Sequence, residues 1–329
     1  MKLLTLTGLV VALVLPLGAA GQRGPVAGCD PLGDVRFICN QVAPEDLAPV
    51  PGGEWLISSG MAANGAIRLI NLRDKTTTAM FPTATPKERW DKKTYTACPG
   101  PIDPAEQAAF RAHGLYLRDG GNRPHTLFVV HHGNRESIEV FELDARAKPP
   151  ALTWIGCAVA PDPIGLNSVV GLPDGGFITT NFTARNMDAA GRGRMMAGEN
   201  NGELWEWHAD SRWKKVPGSE AAGPNGLEIS KDGKTLYIGG WGSQSVIRLS
   251  RGQTPLARDS VNVGFRWTTS VGRRMGRYSP QAKVPRLLRH PTSSEWIPRR
   301  SSSRSSLTTQ TTRRSHRARW RFRWAPSSG

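Results

Sequence analysis

Short apolar runs separated by tight turns recur along most of the chain. The first two such runs are Trp55–Ser58 and residues 67–72, and the later pairs repeat the layout. These pairs are residues 127–130 with 137–143, 177–180 with 203–207, and 236–239 with 245–249. Apolar and polar residues alternate in several runs, which places one face of an extended strand against a core. The pattern therefore predicts four antiparallel β-hairpins and an all-β fold.

Turn residues precede each pair of runs. Glycine-rich turns stand at residues 51–53, 119–121, 173–176 and 231–234. Glycine adopts positive φ without a steric penalty, and Asp-Gly steps between apolar runs are a hairpin signal. Four such units predict blades around a central axis, although a β-sandwich uses the same hairpins. Long, variable connections favour the propeller, and we interpret residues 185–199 as a loop across one of its faces.

The chain changes in composition close to Arg266. Its formal charge of +16 suggests a nucleic-acid or membrane partner, but residues 267–329 carry 15 Lys and Arg against one acid. Residues 1–266 are nearly neutral, with 28 basic and 26 acidic side chains. We therefore expect no nucleic-acid partner, because the body is neutral and the tail contains no recognisable nucleic-acid-binding module. Residues 301–323 contain almost no aliphatic side chains and are predicted to be disordered, because they cannot bury enough apolar surface to offset chain entropy.

The genetic code allows a test of this change in composition. Trp has one codon and every Thr codon begins with the same two bases. A reading frame that starts at the last base of Arg266 therefore spells Val, Leu or Met, then Asp, then Asn, Asp, His or Tyr in place of Trp267, Thr268 and Thr269. The continuation matches another blade. Our hypothesis is a frameshift, and a genuine basic tail is the alternative.

The first residues have the features of an export signal. Lys2 is followed by the apolar residues 3–17 and by small residues suited to cleavage near Ala20. The run is short for a membrane span, so a membrane contact is expected only if the segment is retained. We divide the chain into a signal peptide (1–20), a propeller of four to five blades (21–266) and a basic tail (267–329). We expect a secreted or periplasmic protein.

Four cysteines would then meet an oxidising compartment and could form two disulfides. We favour Cys29–Cys39 with Cys98–Cys157, while the other two connectivities stay open. Their spacing does not suit a zinc site, which uses close cysteine pairs.

Polar residues stand where blades would offer their inner strand ends to a central channel. Glu45, Asp46, Asn167, Asn181 and Asn225 are of this kind, and we place Asn167 and Asn225 just before apolar strands. Carboxylate and amide oxygens are the ligands that Ca²⁺ prefers. Taken singly, each residue is more often a turn residue, so only their joint placement indicates a site.

Histidines provide the second candidate group. His113 precedes a glycine, and His131 with His132 ends an apolar run. A histidine beside a metal-bound carbonyl can act as general base for water, whereas a lone histidine is more often a packed or solvated turn residue.

These residues together resemble a known family. The ordered set is similar to the paraoxonase (arylesterase/lactonase) family, within the wider SMP-30/gluconolactonase-like propellers. The likeness covers residues 29–264 and is carried by residues 44–47, 56–60, 113–114, 128–132, 137–141, 166–170, 179–181 and 225–230.

The resemblance implies a six-bladed β-propeller that lacks its C-terminal part here. It implies that Glu45, Asn167 and Asn225 ligate a catalytic Ca²⁺, and that His113 and His132 form a dyad that activates water. Asp46 matches a ligand of a second, structural Ca²⁺, but Ser168 replaces the acid expected beside the channel Asn. The substrate would be a lactone or aryl ester.

The family completes its calcium shell with an Asp-Asn pair on a later blade, which the shifted frame spells and the written sequence lacks. Two hypotheses therefore remain. One is a calcium-dependent hydrolase of lactones or aryl esters, and the other is a non-catalytic exported propeller or an inactive product. The oligomeric state is not predicted.

Overall fold

Sixteen β-strands form four antiparallel sheets in a computed structural model that describes residues 29–268. Each sheet contains four strands, and their order in the sheet follows their order along the chain. Each hydrogen-bonded pair of neighbouring strands is antiparallel, so every sheet is a simple meander.

The four sheets are named blades 1 to 4. Blade 1 contains β1 (Leu47–Pro49), β2 (Trp55–Ser58), β3 (Ile67–Asn71) and β4 (Thr77–Phe81). Blade 2 contains β5 (Arg111–Arg118), β6 (His125–His132), β7 (Ser137–Asp144) and β8 (Ala151–Val159). Blade 3 contains β9 (Ile164–Gly171), β10 (Phe177–Ala184), β11 (Glu203–His208) and β12 (Arg212–Lys215). Blade 4 contains β13 (Pro224–Ile229), β14 (Thr235–Gly240), β15 (Ser245–Ser250) and β16 (Arg258–Asn262).

The first strand of each blade is the innermost. β1 contacts β5, β5 contacts β9, and β9 contacts β13, so successive blades meet along their first strands. This arrangement is a β-propeller. The predicted fold class is confirmed, and residues 29–268 supply four blades. The further blades implied by the resemblance, the signal segment and nearly all of the basic tail lie outside the described residues.

The eight apolar runs of the sequence are the second and third strands of the blades. The glycine turns connect each first strand to its second, and Gly175 and Gly233 adopt φ of 96° and 73° there. The prediction for residues 185–199 is wrong in part, because they contain a helix, α1 (Ala189–Met196). Asp188 caps it by accepting a hydrogen bond from the Gly191 amide at 2.6 Å. A second short element, a 3-10 helix, spans Pro104–Ala109. No helix among residues 29–268 is long and apolar enough to cross a membrane.

Large aromatic side chains fill the space between blades. Phe110, Phe128, Phe141, Trp154 and Phe177 are almost fully buried and belong to one apolar cluster that joins blades 1, 2 and 3. A second cluster joins blades 3 and 4.

Two disulfides form, between Cys29 and Cys39 and between Cys98 and Cys157, which are the favoured pairs. The second ties the 82–110 connection to β8. Two disulfides fit an oxidising compartment.

A charged cluster joins blades 3 and 4. It lies at the end of the propeller where turns connect the first strand of each blade to the second. The Arg251 guanidinium donates to both carboxylate oxygens of Glu206, at 2.9 and 2.7 Å, and to Asp174 at 3.1 Å. His208 contacts the same Glu206 carboxylate at 2.7 Å. Hydrogen bonds from Arg251 and His208 hold the pKa of Glu206 below its ordinary value, in spite of its half-buried position. This pairing therefore stabilises the interface between the two blades.

Replacing Arg251 with Gln should destabilise the protein. Two acidic side chains would lose a bidentate, half-buried partner, and we expect the free energy of unfolding to fall by about 1–3 kcal/mol. Arg146→Gln is the control, because its pair with Asp144 lies within one exposed turn and should contribute less than about 0.5 kcal/mol. Urea denaturation measures both variants, and equal losses would contradict an interblade role.

Candidate active site

The candidate residues lie at one end of the blades. Antiparallel pairing places the start of the first strand of each blade beside the end of the second strand of the same blade. Glu45 and Asp46 directly precede β1, and His113 is the third residue of β5. His132 ends β6, next to the start of β5. Asn167 lies in β9 and Asn225 in β13. The topology therefore brings these residues to the same end of the propeller.

Asn167 and Asn225 do not precede strands, as the sequence suggested, but lie inside them at β-bulges. Residues 113–114 face Val130 alone, 167–168 face Thr180, and 225–226 face Gly239. Two residues against one is the definition of a bulge, which re-aims side chains beside binding sites. Three of the four inner strands thus carry the same irregularity at a candidate residue.

The bulge also allows close approach of the next blade. A Cβ atom added to Gly114 would overlap the backbone carbonyl O of Asn167, so only glycine fits there. The bulge of blade 2 therefore packs directly on the bulge of blade 3.

Two histidines meet across β5 and β6. His113 Nδ1 lies 3.0 Å from His132 Nε2, and both rings are largely buried. The second nitrogen of His113, Nε2, lies 3.6 Å from Glu45 Oε1. The structure therefore brings together the two histidines that the sequence paired and joins them to one of the predicted calcium ligands.

Glu136 is a site residue that the sequence analysis missed. Its carboxylate oxygens lie 3.0 and 2.9 Å from His132 Nδ1, and Oε1 accepts a hydrogen bond from the Leu166 amide at 2.6 Å. The residue is only 7% exposed. It follows His132 by four residues in the turn before β7, where an acid in a turn gives no distinctive signal.

Asp46 occupies a strongly desolvated position. The pKa of Asp46 is raised to about 6, mainly by burial and to a smaller extent by the charges of Glu45 and Glu228. Hydrogen bonds from the Leu115 amide, at 2.8 Å, and the Leu47 amide, at 2.8 Å, oppose the shift. The negative charges of Glu45 and Glu228 thus act on Asp46, and a bound cation would relieve this repulsion. Glu228, in β13, was also missed by the sequence analysis.

Asn181 and His131 have structural partners. The Asn181 amide accepts from the Gly165 amide at 3.1 Å and donates to Glu203 at 2.9 Å, within blade 3. His131 stacks on Phe110 with ring centroids 4.7 Å apart, and burial lowers its pKa to about 4. His131 is therefore a neutral, packed side chain.

The donor set fits Ca²⁺ in kind but not in number. Glu45, Asn167 and Asn225 offer carboxylate and amide oxygens, whereas Ca²⁺ takes six to eight oxygen ligands. Within residues 29–268, no three His, Cys, Asp or Glu side chains are grouped so that they could hold a metal ion. Any calcium site must therefore depend on amide oxygens and on further ligands.

Trp267 and Thr268 mark where such ligands could come from. A Cβ atom on Gly226 would clash with the Thr268 carbonyl O, just as one on Gly114 would clash with the Asn167 carbonyl O. The Thr268 backbone therefore packs on the bulge of blade 4 in the same way as the Asn167 backbone packs on the bulge of blade 2. The Trp267 side chain is 5% exposed and packs against Gly239.

Comparisons with known proteins give structural likenesses alone. No family model matches the chain, and no curated protein matches it. A gluconolactonase of Xanthomonas campestris is 16% identical, with a TM-score of 0.46, over 74% of this chain and 72% of that chain. A hydrazine synthase of Kuenenia stuttgartiensis is 15% identical, with a TM-score of 0.45, over 69% of this chain. A nidogen/laminin complex is 14% identical, with a TM-score of 0.43, over 70% of this chain and 69% of that chain.

The chain spans 64% of the length of the hydrazine synthase chain. Each of the three is less than 25% identical to this chain, and fold does not imply function. The activity must therefore be argued from the site.

Replacing Gly114 with Ala should separate blades 2 and 3. The new methyl group would meet a backbone carbonyl, which cannot move aside as a flexible side chain can. We expect a loss of about 1–3 kcal/mol in the free energy of unfolding. Gly193→Ala is the control, because nothing lies within 4 Å of that position in α1, and alanine there should be neutral or stabilising. Thermal denaturation measures both, and an unchanged melting temperature for Gly114→Ala would contradict the close approach.

Proposed function

We propose that this protein hydrolyses lactones or aryl esters with a water molecule activated by His113. The observation that carries the proposal is the hydrogen-bonded chain from Glu136 through His132 to His113. A buried histidine that is held by a second histidine and a carboxylate has the arrangement of an oriented general base. The resemblance to lactonases and arylesterases supports the choice of substrate class.

His113 takes the proton of the attacking water. Its Nε2 lies on the Glu45 side of the pair, at the end of the blades where the other candidate residues stand. The imidazolium that forms would be stabilised by Glu45 and, through His132, by Glu136. The water oxygen then forms the new bond to the carbonyl carbon, and the ring or aryl oxygen leaves with a proton returned from His113.

Glu45, Asn167 and Asn225 would hold a Ca²⁺ ion beside this base. The ion, when bound, would polarise the substrate carbonyl and stabilise the oxyanion. The negative charges of Glu45 and Glu228, which act on Asp46, support a cation at this end of the blades.

Replacing His132 with Gln should lower kcat for a lactone and an aryl ester by about 100-fold or more, because His113 loses the partner that orients it. His125→Gln is the matched control, since this buried histidine lies at the opposite end of the same strand. Calcium removal with EGTA should abolish turnover of the unaltered protein. Equal rates for the two variants would remove His132 from the site, and absence of calcium-dependent turnover would contradict the function.

Replacing Thr268 with Asp should raise calcium affinity by about tenfold, which corresponds to ~1.4 kcal/mol for one added carboxylate ligand. Residue 268 is exposed and packs on the blade 4 bulge, and the shifted frame places Asp at this position. Gln253→Asp adds the same charge at an exposed turn of blade 4 and is the control. Calorimetric titration with Ca²⁺ measures both. An affinity unchanged by Thr268→Asp, or raised equally by the control, would place residue 268 away from the site.

A further inference from the structure

Glu136 is a buried carboxylate with two separate bonding partners. One partner is His132 Nδ1, at 2.9 Å, and the other is the Leu166 amide, at 2.6 Å. An ionised carboxylate only accepts hydrogen bonds, so both partners must donate to it. The Leu166 amide always donates. His132 must therefore carry a proton on Nδ1.

With Glu136 ionised and both imidazoles neutral, this requirement fixes the protons along the whole chain. A neutral imidazole with a proton on Nδ1 has a lone pair on Nε2. His132 Nε2, 3.0 Å from His113 Nδ1, is then the acceptor, and His113 Nδ1 is the donor. His113 consequently keeps its lone pair on Nε2, the nitrogen that faces Glu45. That nitrogen is the one a base needs.

We propose that Glu136 is the positioning residue of the site: it sets the tautomer of both histidines and thereby exposes the basic nitrogen of His113. This inference rests on the proposed hydrolase function for its kinetic consequence, but not for its structural one. When His113 Nε2 takes a proton from water, the positive charge is shared through two hydrogen bonds with the Glu136 carboxylate. No proton needs to leave Glu136, because the carboxylate remains an acceptor throughout.

The second bond of Glu136 links the histidines to the next blade. Glu136 precedes β7 of blade 2, whereas Leu166 lies in β9 of blade 3, beside Asn167. The same carboxylate therefore holds the base and the strand that carries a proposed calcium ligand in one arrangement. A role confined to blade packing would need only the Leu166 bond and would not need the short contact with His132.

Glu136→Gln tests the proton assignment because it reverses one hydrogen bond while it preserves shape. The amide oxygen can still accept from Leu166, which leaves the NH₂ group facing His132 Nδ1. If His132 kept its Nδ1 proton, two donors would face each other at 2.9 Å, so we expect the proton to move to Nε2. His113 would then accept at Nδ1 and carry its proton on Nε2. Glu136→Asp retains the charge and should keep the tautomers of the unaltered protein.

Imidazole ¹⁵N NMR of the full chain measures the tautomers without any substrate. We expect protonated Nδ1 on both His113 and His132 in the unaltered protein and in Glu136→Asp, and protonated Nε2 on both in Glu136→Gln. With a lactone substrate, Glu136→Gln should lower kcat by about 100-fold with KM nearly unchanged, and Glu136→Asp should recover part of the rate. Unaltered tautomers in Glu136→Gln would overturn the inference, as would altered tautomers with an unaltered kcat.

Glu139→Gln is the matched control. Glu139 is fully buried three residues further on and bonds Arg135, Ser137 and Trp154, outside the histidine chain. Its loss should lower the melting temperature but leave the tautomers and kcat of the folded protein unchanged. If Glu136→Gln behaved as Glu139→Gln does, Glu136 would be only a packing residue. If the unaltered protein had no hydrolase activity, the proposed function would fail, and the NMR result would still decide the tautomers.

Discussion

The close approach of successive inner strands at their bulges is the constraint on which the site depends. Each bulge interrupts the regular hydrogen bonds of its blade, and buried carboxylates accept amides beside two of them. Asp46 of blade 1 accepts from Leu115 of blade 2, and Glu136 of blade 2 accepts from Leu166 of blade 3. An amide buried beside an irregularity would otherwise cost free energy. The acids at this end of the propeller therefore hold the blades together as well as facing the candidate chemistry.

Asp46 illustrates both roles, since it bonds the next blade and lies among the acids of the candidate site. Asp46 is buried and sits in the field of Glu45 and Glu228, an arrangement that raises its pKa to about 6. The cation of the proposed calcium site would relieve this repulsion. By contrast, Glu206 of the interblade pair with Arg251 has its pKa lowered in spite of burial, because the Arg251 guanidinium and His208 donate hydrogen bonds to it.

The sequence predicts the middle strands of each blade well and the inner strands poorly, for a physical reason. β2, β6 and β14 carry no extra residue, and β10 carries one only at Phe182, beyond its predicted run, so alternation and glycine turns reveal them. β5, β9 and β13 contain bulges, which break the period of two at His113, Asn167 and Asn225. Those residues could be predicted only from the chemistry of their side chains and from the resemblance to a known family. Glu136 and Glu228 escaped because their roles depend on contacts between blades. The helix α1 escaped because Gly191 and Gly193 weaken its helical pattern.

The composition of the chain changes near Arg266, two residues before Thr268. Thr268 packs on the bulge of blade 4 as the candidate residue Asn167 packs on the bulge of blade 2. The Thr268 backbone meets the bulge of blade 4 where the first strand of a following blade would meet it, by analogy with Asn167 on blade 2. Three inner strands of this propeller carry a bulge at a candidate site residue, so the residue at the equivalent position bears on the number of ligands in the proposed calcium site. Glu45, Asn167 and Asn225 supply too few oxygens for a full shell. The completeness of the proposed calcium site therefore depends on residue 268 and its successors, while the histidine chain, contained within blade 2 and anchored on blade 3, does not.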